Sequence, residues 1–183
     1  MTEWRTEEVK LKDDRPVTLR NLNGTDAPLF VGFFSQVADD SNYTLRYPGE
    51  PNPPEAKISE RWNAAAASRD EFLLGAFNES ELIGHLMFGK ARGNHPWCKH
   101  VGYFAMMILK PYWGQGLGQK MLQTMFAFAG SVDVTRIEAS VRVDNSHGVR
   151  LYEKSGFLIE GTRRSSFLIN GTYYDEHMIA KQL

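Results

Sequence analysis

The chain has 183 residues, of which 42% are hydrophobic and 23% charged, and its formal net charge is −1. These values are typical of one globular domain, and they exclude a general attraction to nucleic acid or to an anionic membrane surface. No apolar run approaches the roughly 20 residues that a membrane span needs. The N-terminus lacks the basic region and the apolar region of a secretory signal, so secretion is not expected. Cys98 is the single cysteine, which rules out an internal disulfide and is consistent with a reducing cytoplasm.

The pattern of apolar residues divides the chain into a tail and one domain. Residues 1–15 are polar and are expected to form a loose N-terminal tail, whereas the domain covers residues 16–183. Hydrophobic periodicity predicts, in chain order, a strand at 17–20, helices at 27–37 and 55–68, strands at 71–77, 81–89 and 101–109, a helix at 117–129, a strand at 135–143, a helix at 146–155 and strands at 157–168 and 173–180. The predicted class is α/β (α+β), with a mixed, mostly antiparallel central sheet flanked by helices.

A glycine-rich loop lies between the strand at 101–109 and the helix that follows it. Gly114, Gly116 and Gly118 stand at every second position and leave backbone N–H groups free at a helix N-terminus, which favours a phosphate group. The spacing matches neither the dinucleotide fingerprint nor the nucleoside-triphosphate loop. A glycine turn without a ligand therefore remains an alternative at this point, as does a nucleotide-binding module that uses the loop differently.

A second motif, from Asn145 to Phe157, reads N-S-H-G-V-R-L-Y-E-K-S-G-F. Together with the segment Pro111-Tyr112-Trp113-Gly114-Gln115-Gly116-Leu117-Gly118, it resembles the acetyl-CoA-dependent N-acetyltransferases of the GNAT superfamily. Trp113 stands where Gln or Arg is usual, as in the branch of ribosomal-protein alanine and spermidine acetyltransferases. Gly148 stands where alanine is usual.

The resemblance implies a single-domain GNAT fold over residues 16–183 and transfer of an acetyl group from acetyl-CoA to a primary amine, by direct attack in a ternary complex. It implies that Tyr152 is the general acid that protonates the departing thiolate. It also implies a set of residues that contact the cofactor: Ile108, Leu109, Gly114, Gln115, Gly116, Gly118, Gln119 and Asn145. Leu117 is expected to turn into the core.

The general base and the acceptor stay open. Tyr103, His100, Glu50, Asp40 and a chain of waters are all candidates for the base. The acceptor is a small-molecule amine or a protein N-terminus, and a homodimer is a further expectation. No cluster of His, Cys or Asp has metal-ligand spacing. A non-catalytic acyl-CoA-binding or sensing domain is the alternative function.

Overall fold

The computed structural model describes residues 6–183, with only the backbone at residues 93 and 94. The elements are β1 (Glu7–Lys10), β2 (Pro16–Asn21), α1 (Ala27–Asp40), α2 (Glu55–Ala67), β3 (Glu71–Asn78), β4 (Glu81–Lys90), β5 (Val101–Ile108), α3 (Leu117–Ser131), β6 (Arg136–Arg142), α4 (Ser146–Lys154), β7 (Leu158–Ile169) and β8 (Thr172–Gln182). The predicted helices and strands are confirmed to within a few residues at their ends.

The strands of residues 6–183 form one sheet in the order β1-β2-β3-β4-β5-β6-β8-β7. Every neighbouring pair is antiparallel except β5 and β6, which run parallel. The predicted mixed, mostly antiparallel sheet is therefore confirmed. The parallel pair lies near the middle of the sheet, and the connection between its strands contains the glycine loop and α3.

The expectation of a loose tail is wrong for residues 7–10. They form edge strand β1, which pairs with β2 in the register Val9↔Val17. Val9 and Leu11 are buried and join the core, and this burial holds the segment against the sheet. Residues 1–5 of the predicted tail lie outside the described residues.

Helices cover both faces of the sheet. Phe33 of α1 and Trp62 of α2 are buried on one face, as predicted for core aromatic residues. On the other face α3 buries Leu117 and Met121 completely. Side chains alternate between the two faces along each strand, so that neighbouring residues of β4 and β5 serve different layers.

Local backbone conformations agree with the predicted turns. Asn145 caps α4, because its side-chain oxygen accepts a hydrogen bond from the Gly148 N–H at 3.0 Å. Gly156 ends that helix with φ of 87°. Asn170 and Gly171 join β7 to β8 with φ of 50° and 79°, as a tight hairpin requires.

Candidate active site

The candidate site begins where the parallel pair β5–β6 separates. The two strands are paired only from Val101↔Arg136 to Tyr103↔Glu138. Beyond Tyr103, β5 stays paired with β4, whereas β6 stays paired with β8. The pairing pattern therefore opens a gap in the sheet beside residues 104–108.

Backbone alternation decides which residues of β5 face this gap. The Leu109 N–H donates to the Ile83 carbonyl at 3.0 Å, so the odd-numbered residues turn their polar backbone groups toward β4. Met106 and Ile108 consequently turn theirs toward the gap. The sequence-based assignment of Leu109 to the cofactor needs correction: its N–H is used by β4 and its side chain is only 1% exposed.

The glycine loop leads directly from the end of β5 into α3. Gly114 and Gly116 have φ of 75° and 90°, a left-handed conformation that side-chain-bearing residues rarely adopt. Gly116 is the N-cap of α3, and its carbonyl accepts the first helical bond, from Lys120. The N–H groups of Gly118 and Gln119 in the first turn therefore have no partner within the helix. They lie at the helix end where the sequence leads us to expect an anion, and Leu117 is fully buried as expected.

Gly118 also allows a close approach between layers. A Cβ atom at this position would lie 2.7 Å from a methyl group of Leu151 in α4 and 3.4 Å from Ile108. The absence of a side chain thus brings α4 close to the start of α3 and to the gap.

Trp113 closes part of the gap from the loop side. Its indole N–H donates to the Ile108 carbonyl at 2.7 Å. Its ring centroid lies 6.3 Å from that of Tyr43 and 5.8 Å from that of His147. The tryptophan that replaces the usual Gln or Arg therefore binds the β5 backbone.

Tyr152 lies on α4, buried at the side of the gap. Its ring makes edge contacts with Phe104 at 5.7 Å and with Phe157 at 5.6 Å. Burial, with a smaller contribution from the Tyr103 phenol, raises the pKa of Tyr152 well above its usual value. The Tyr152 hydroxyl is therefore protonated at neutral pH and has a proton to donate.

The four side chains that are candidates for the base lie in different surroundings. The Asp40 carboxylate accepts a hydrogen bond from the Lys110 N–H at 3.4 Å, and that of Glu50 accepts one from the Tyr47 N–H at 3.2 Å. His100 is exposed before the start of β5. Tyr103 is 45% exposed and differs from these three because its phenol contributes to the raised pKa of Tyr152.

A groove of about 440 Å³ opens on the α2 face of the sheet and reaches Tyr103. Its apolar floor includes Leu73 and Met87. Two ion pairs line its sides, Arg61–Glu71 at 2.7 Å and Lys90–Asp70 at 2.9 Å.

The connection between α1 and α2 is fastened to the far end of β6 by Arg142. The Arg142 guanidinium donates to the Asn42 carbonyl at 2.6 Å and pairs with the Asp144 carboxylate at 2.5 Å. It also lies 4.1 Å from the ring centroid of Tyr174 in the terminal hairpin. Arg142 does not stand out in the sequence, because its partners come from three separate segments.

Two further observations concern metal ligands and membrane spans. Residues 6–183 contain no group of three or more His, Cys, Asp or Glu side chains that could hold a metal ion. In the same part of the chain, no helix combines the length and the hydropathy needed to cross a bilayer.

Comparison with known proteins identifies the class of protein. The family model "Acetyltransferase (GNAT) family" matches residues 38–157. The chain is 30% identical over 104 residues to the L-amino acid N-acetyltransferase AaaT of Escherichia coli. The aligned segment covers 56% of this chain and 63% of that protein.

Solved structures show the same fold. A GNAT-family acetyltransferase from Streptococcus pneumoniae has a TM-score of 0.85 at 24% identity, covering 91% of this chain and 99% of that one. The putative acetyltransferase yncA of Salmonella typhimurium, solved with its cofactor acetyl-CoA, has a TM-score of 0.78 at 16% identity, covering 91% and 94%.

The chain belongs to the acetyltransferase (GNAT) family and is an acetyl-CoA-dependent N-acetyltransferase. This assignment agrees with the resemblance seen in the two motifs. No finding favours the non-catalytic alternative.

Proposed function

We propose that acetyl-CoA binds along the gap between β5 and β6 and that an amine attacks its thioester directly. The observation that supports this proposal is the coincidence of three features at one gap: free backbone groups on β5, an anion-binding helix start, and a buried, protonated phenol. The amine nitrogen forms a bond to the acetyl carbon, the C–S bond breaks, and the CoA thiolate leaves. The attacking nitrogen loses a proton, and the thiolate gains one.

Each residue of the proposed site has a distinct part. The N–H groups of the loop and first helical turn bind the pyrophosphate, at Gly114, Gln115, Gly116, Gly118 and Gln119. Met106 takes the place of Leu109 beside Ile108, and these two residues offer backbone groups to the two amides of the pantetheine arm. The side-chain NH₂ of Asn145, whose oxygen caps α4, supplies one further contact. Tyr152 donates the proton to the leaving thiolate.

The acceptor is a small primary amine that enters through the groove at Tyr103. The groove supports this choice because its volume suits a small molecule and its walls carry both signs of charge. The relative AaaT is an L-amino acid N-acetyltransferase, and its acceptors are of this size. Tyr103 is the proposed group through which the amine's proton leaves, since it lines the groove and its phenol contributes to the raised pKa of Tyr152.

Replacing Tyr152 with Phe tests the proposed acid. The phenyl ring keeps the contacts with Phe104 and Phe157, so CoA affinity should stay within about two-fold, while turnover should fall by about 10²-fold or more. Turnover is measured by thiol release in a panel of amines that contains amino acids, polyamines and peptides with free N-termini. Tyr173→Phe serves as control, because that tyrosine is 64% exposed in the hairpin. Unchanged turnover of Tyr152→Phe would exclude Tyr152 as the acid, and acetylation of the peptides alone would exclude a small-amine acceptor.

The proposal extends to the assembly and its location. Strand β7 is a sheet edge that exposes Leu158 by 73% and Leu168 by 60%, and an open apolar edge favours pairing with a second copy. We place the resulting homodimer in the cytoplasm, in agreement with the single thiol of Cys98. Sedimentation of the wild type and of Leu158→Lys tests the dimer: a monomeric wild type would exclude it.

A further inference from the structure

The turn between β1 and β2 packs against the glycine loop. The Lys12 N–H donates to the Gln115 carbonyl at 3.1 Å. The Arg15 guanidinium donates to the Pro111 carbonyl at 3.0 Å and lies 4.1 Å from the ring centroid of Tyr112. The turn is therefore fixed to the loop at both of its ends.

The charges of this turn are paired except for one. Lys10 pairs with Asp14 at 2.8 Å, and Arg15 pairs with Asp13 at 2.6 Å. Lys12 is exposed and takes part in none of the ion pairs found among residues 6–183. Within this turn, the Lys12 ammonium is therefore the one charged group that has no ion-pair partner among the described residues.

The Lys12 side chain extends over Gly116. Its Cγ and Cε atoms lie 4.0 and 3.9 Å from the point that a Cβ atom of Gly116 would occupy. The ammonium nitrogen is one bond beyond Cε, and Gly116 is the N-cap of α3. Since the helix start also carries partial positive charge, both features favour an anion at this place.

We propose that Lys12 binds the pyrophosphate of CoA together with the N–H groups of the loop. This inference rests on the proposed function and adds to it a residue from outside the segment 38–157 that the family model matches. Lys12 is held in place through its own backbone N–H, so its side chain is free to reach the phosphate. The edge strand β1, placed against the sheet by Val9 and Leu11, then has a role in cofactor affinity.

Calorimetric titration with CoA, which needs no acceptor, tests the proposal. Lys12→Met should raise the Kd of CoA about five-fold, the size expected for one exposed charge contact. Lys12→Arg should stay within about two-fold of wild type because the charge is kept. The matched control is Lys10→Met, which removes a paired cation from the same hairpin and should leave the Kd unchanged. The melting temperature should be nearly unchanged in all three, since the Lys12 N–H remains and the Lys10–Asp14 pair is exposed.

Titration with a second ligand identifies which phosphate of CoA Lys12 contacts. The loss of affinity in Lys12→Met should be the same with 3′-dephospho-CoA if the contact is to the pyrophosphate. A loss confined to CoA would overturn that assignment, and wild-type affinity of Lys12→Met for CoA would overturn the proposal altogether. The variant Gly116→Glu distinguishes failure of the Lys12 proposal from failure of the loop as the CoA site. It should abolish CoA binding even if Lys12 makes no contact with the pyrophosphate. Absence of CoA binding by the wild type would refute the proposed function itself.

Discussion

Gly102 offers a sharp test of how β5 is packed just before the gap opens. A Cβ atom at this position would lie 2.4 and 2.5 Å from two ring carbons of Phe88 and 3.2 Å from Val134. The Phe88 ring is 2% exposed and is itself packed edge-on against Phe128 at 5.8 Å. Gly102→Ala therefore forces a buried ring or the strand itself to move.

The expected cost follows from overpacking of a dense core. Inserting a methyl group into such a site costs about 1–3 kcal/mol, and we expect a value in the upper half of that range because a rigid ring is displaced. For a protein of this size, each kcal/mol lowers Tm by about 2–4 °C. Gly89→Ala is the matched control on the neighbouring strand. Its Cβ would meet only Glu71, at 3.6 Å, so its stability should stay within about 0.5 kcal/mol of wild type.

Urea unfolding followed by tryptophan fluorescence measures both variants. The double variant Gly102→Ala with Phe88→Leu should be more stable than the sum of the two single changes predicts, because the smaller side chain makes room for the methyl group. Equal stability of Gly102→Ala and Gly89→Ala, or strict additivity with Phe88→Leu, would refute the reasoning.

Two further predictions concern buried polar side chains. Arg142→Met should lower stability by about 2–4 kcal/mol, because it leaves the Asn42 carbonyl and Asp144 without their partner. Urea unfolding should show a much smaller loss for the control Arg163→Met, whose arginine is 56% exposed, and near-equality of the two would contradict the argument. His85 is buried, its ring nitrogens have no hydrogen-bond partner within residues 6–183, and burial lowers its pKa to about 4. Its unfolded form protonates near pH 6.5, so the wild type should lose up to about 3 kcal/mol of stability as pH falls from 6.5 to 4. When Tm is measured against pH, His85→Leu should remove much of that loss, whereas the control His100→Gln, at an exposed position, should not. Identical profiles for His85→Leu and the wild type would exclude His85 as the source of the stability loss.

Sequence patterns predicted the elements well where the signal is local. Asn145 and the Asn170-Gly171 pair define their cap and hairpin by side-chain chemistry within a few residues. Strand β1 was missed because it is short and, as an edge strand, exposes most of its side chains. Its burial depends on Val9 meeting a neighbouring strand, which no short window of sequence can show.

The candidate site was predictable in its motifs but not in its register. The loop glycines and Tyr152 follow from pattern and resemblance, whereas the choice between Leu109 and Met106 depends on which residues of β5 face β4. A shift of one residue reverses that choice. The contact between Arg15 and Pro111 joins residues 96 positions apart, and Lys12 reaches the loop through the same long-range packing.

The gap between β5 and β6 leaves backbone groups without strand partners, and the indole of Trp113 binds one of them. Opening a sheet leaves backbone N–H and C=O groups without strand partners, which is costly in a buried position. Trp113 satisfies the Ile108 carbonyl, and the groups of Met106 together with the Ile108 N–H then remain for a ligand. The spacing of those remaining groups along one strand suits an extended chain that carries two amides, such as the pantetheine arm. The tryptophan thus reduces the cost of the open edge without occupying the backbone groups that we propose for the pantetheine arm.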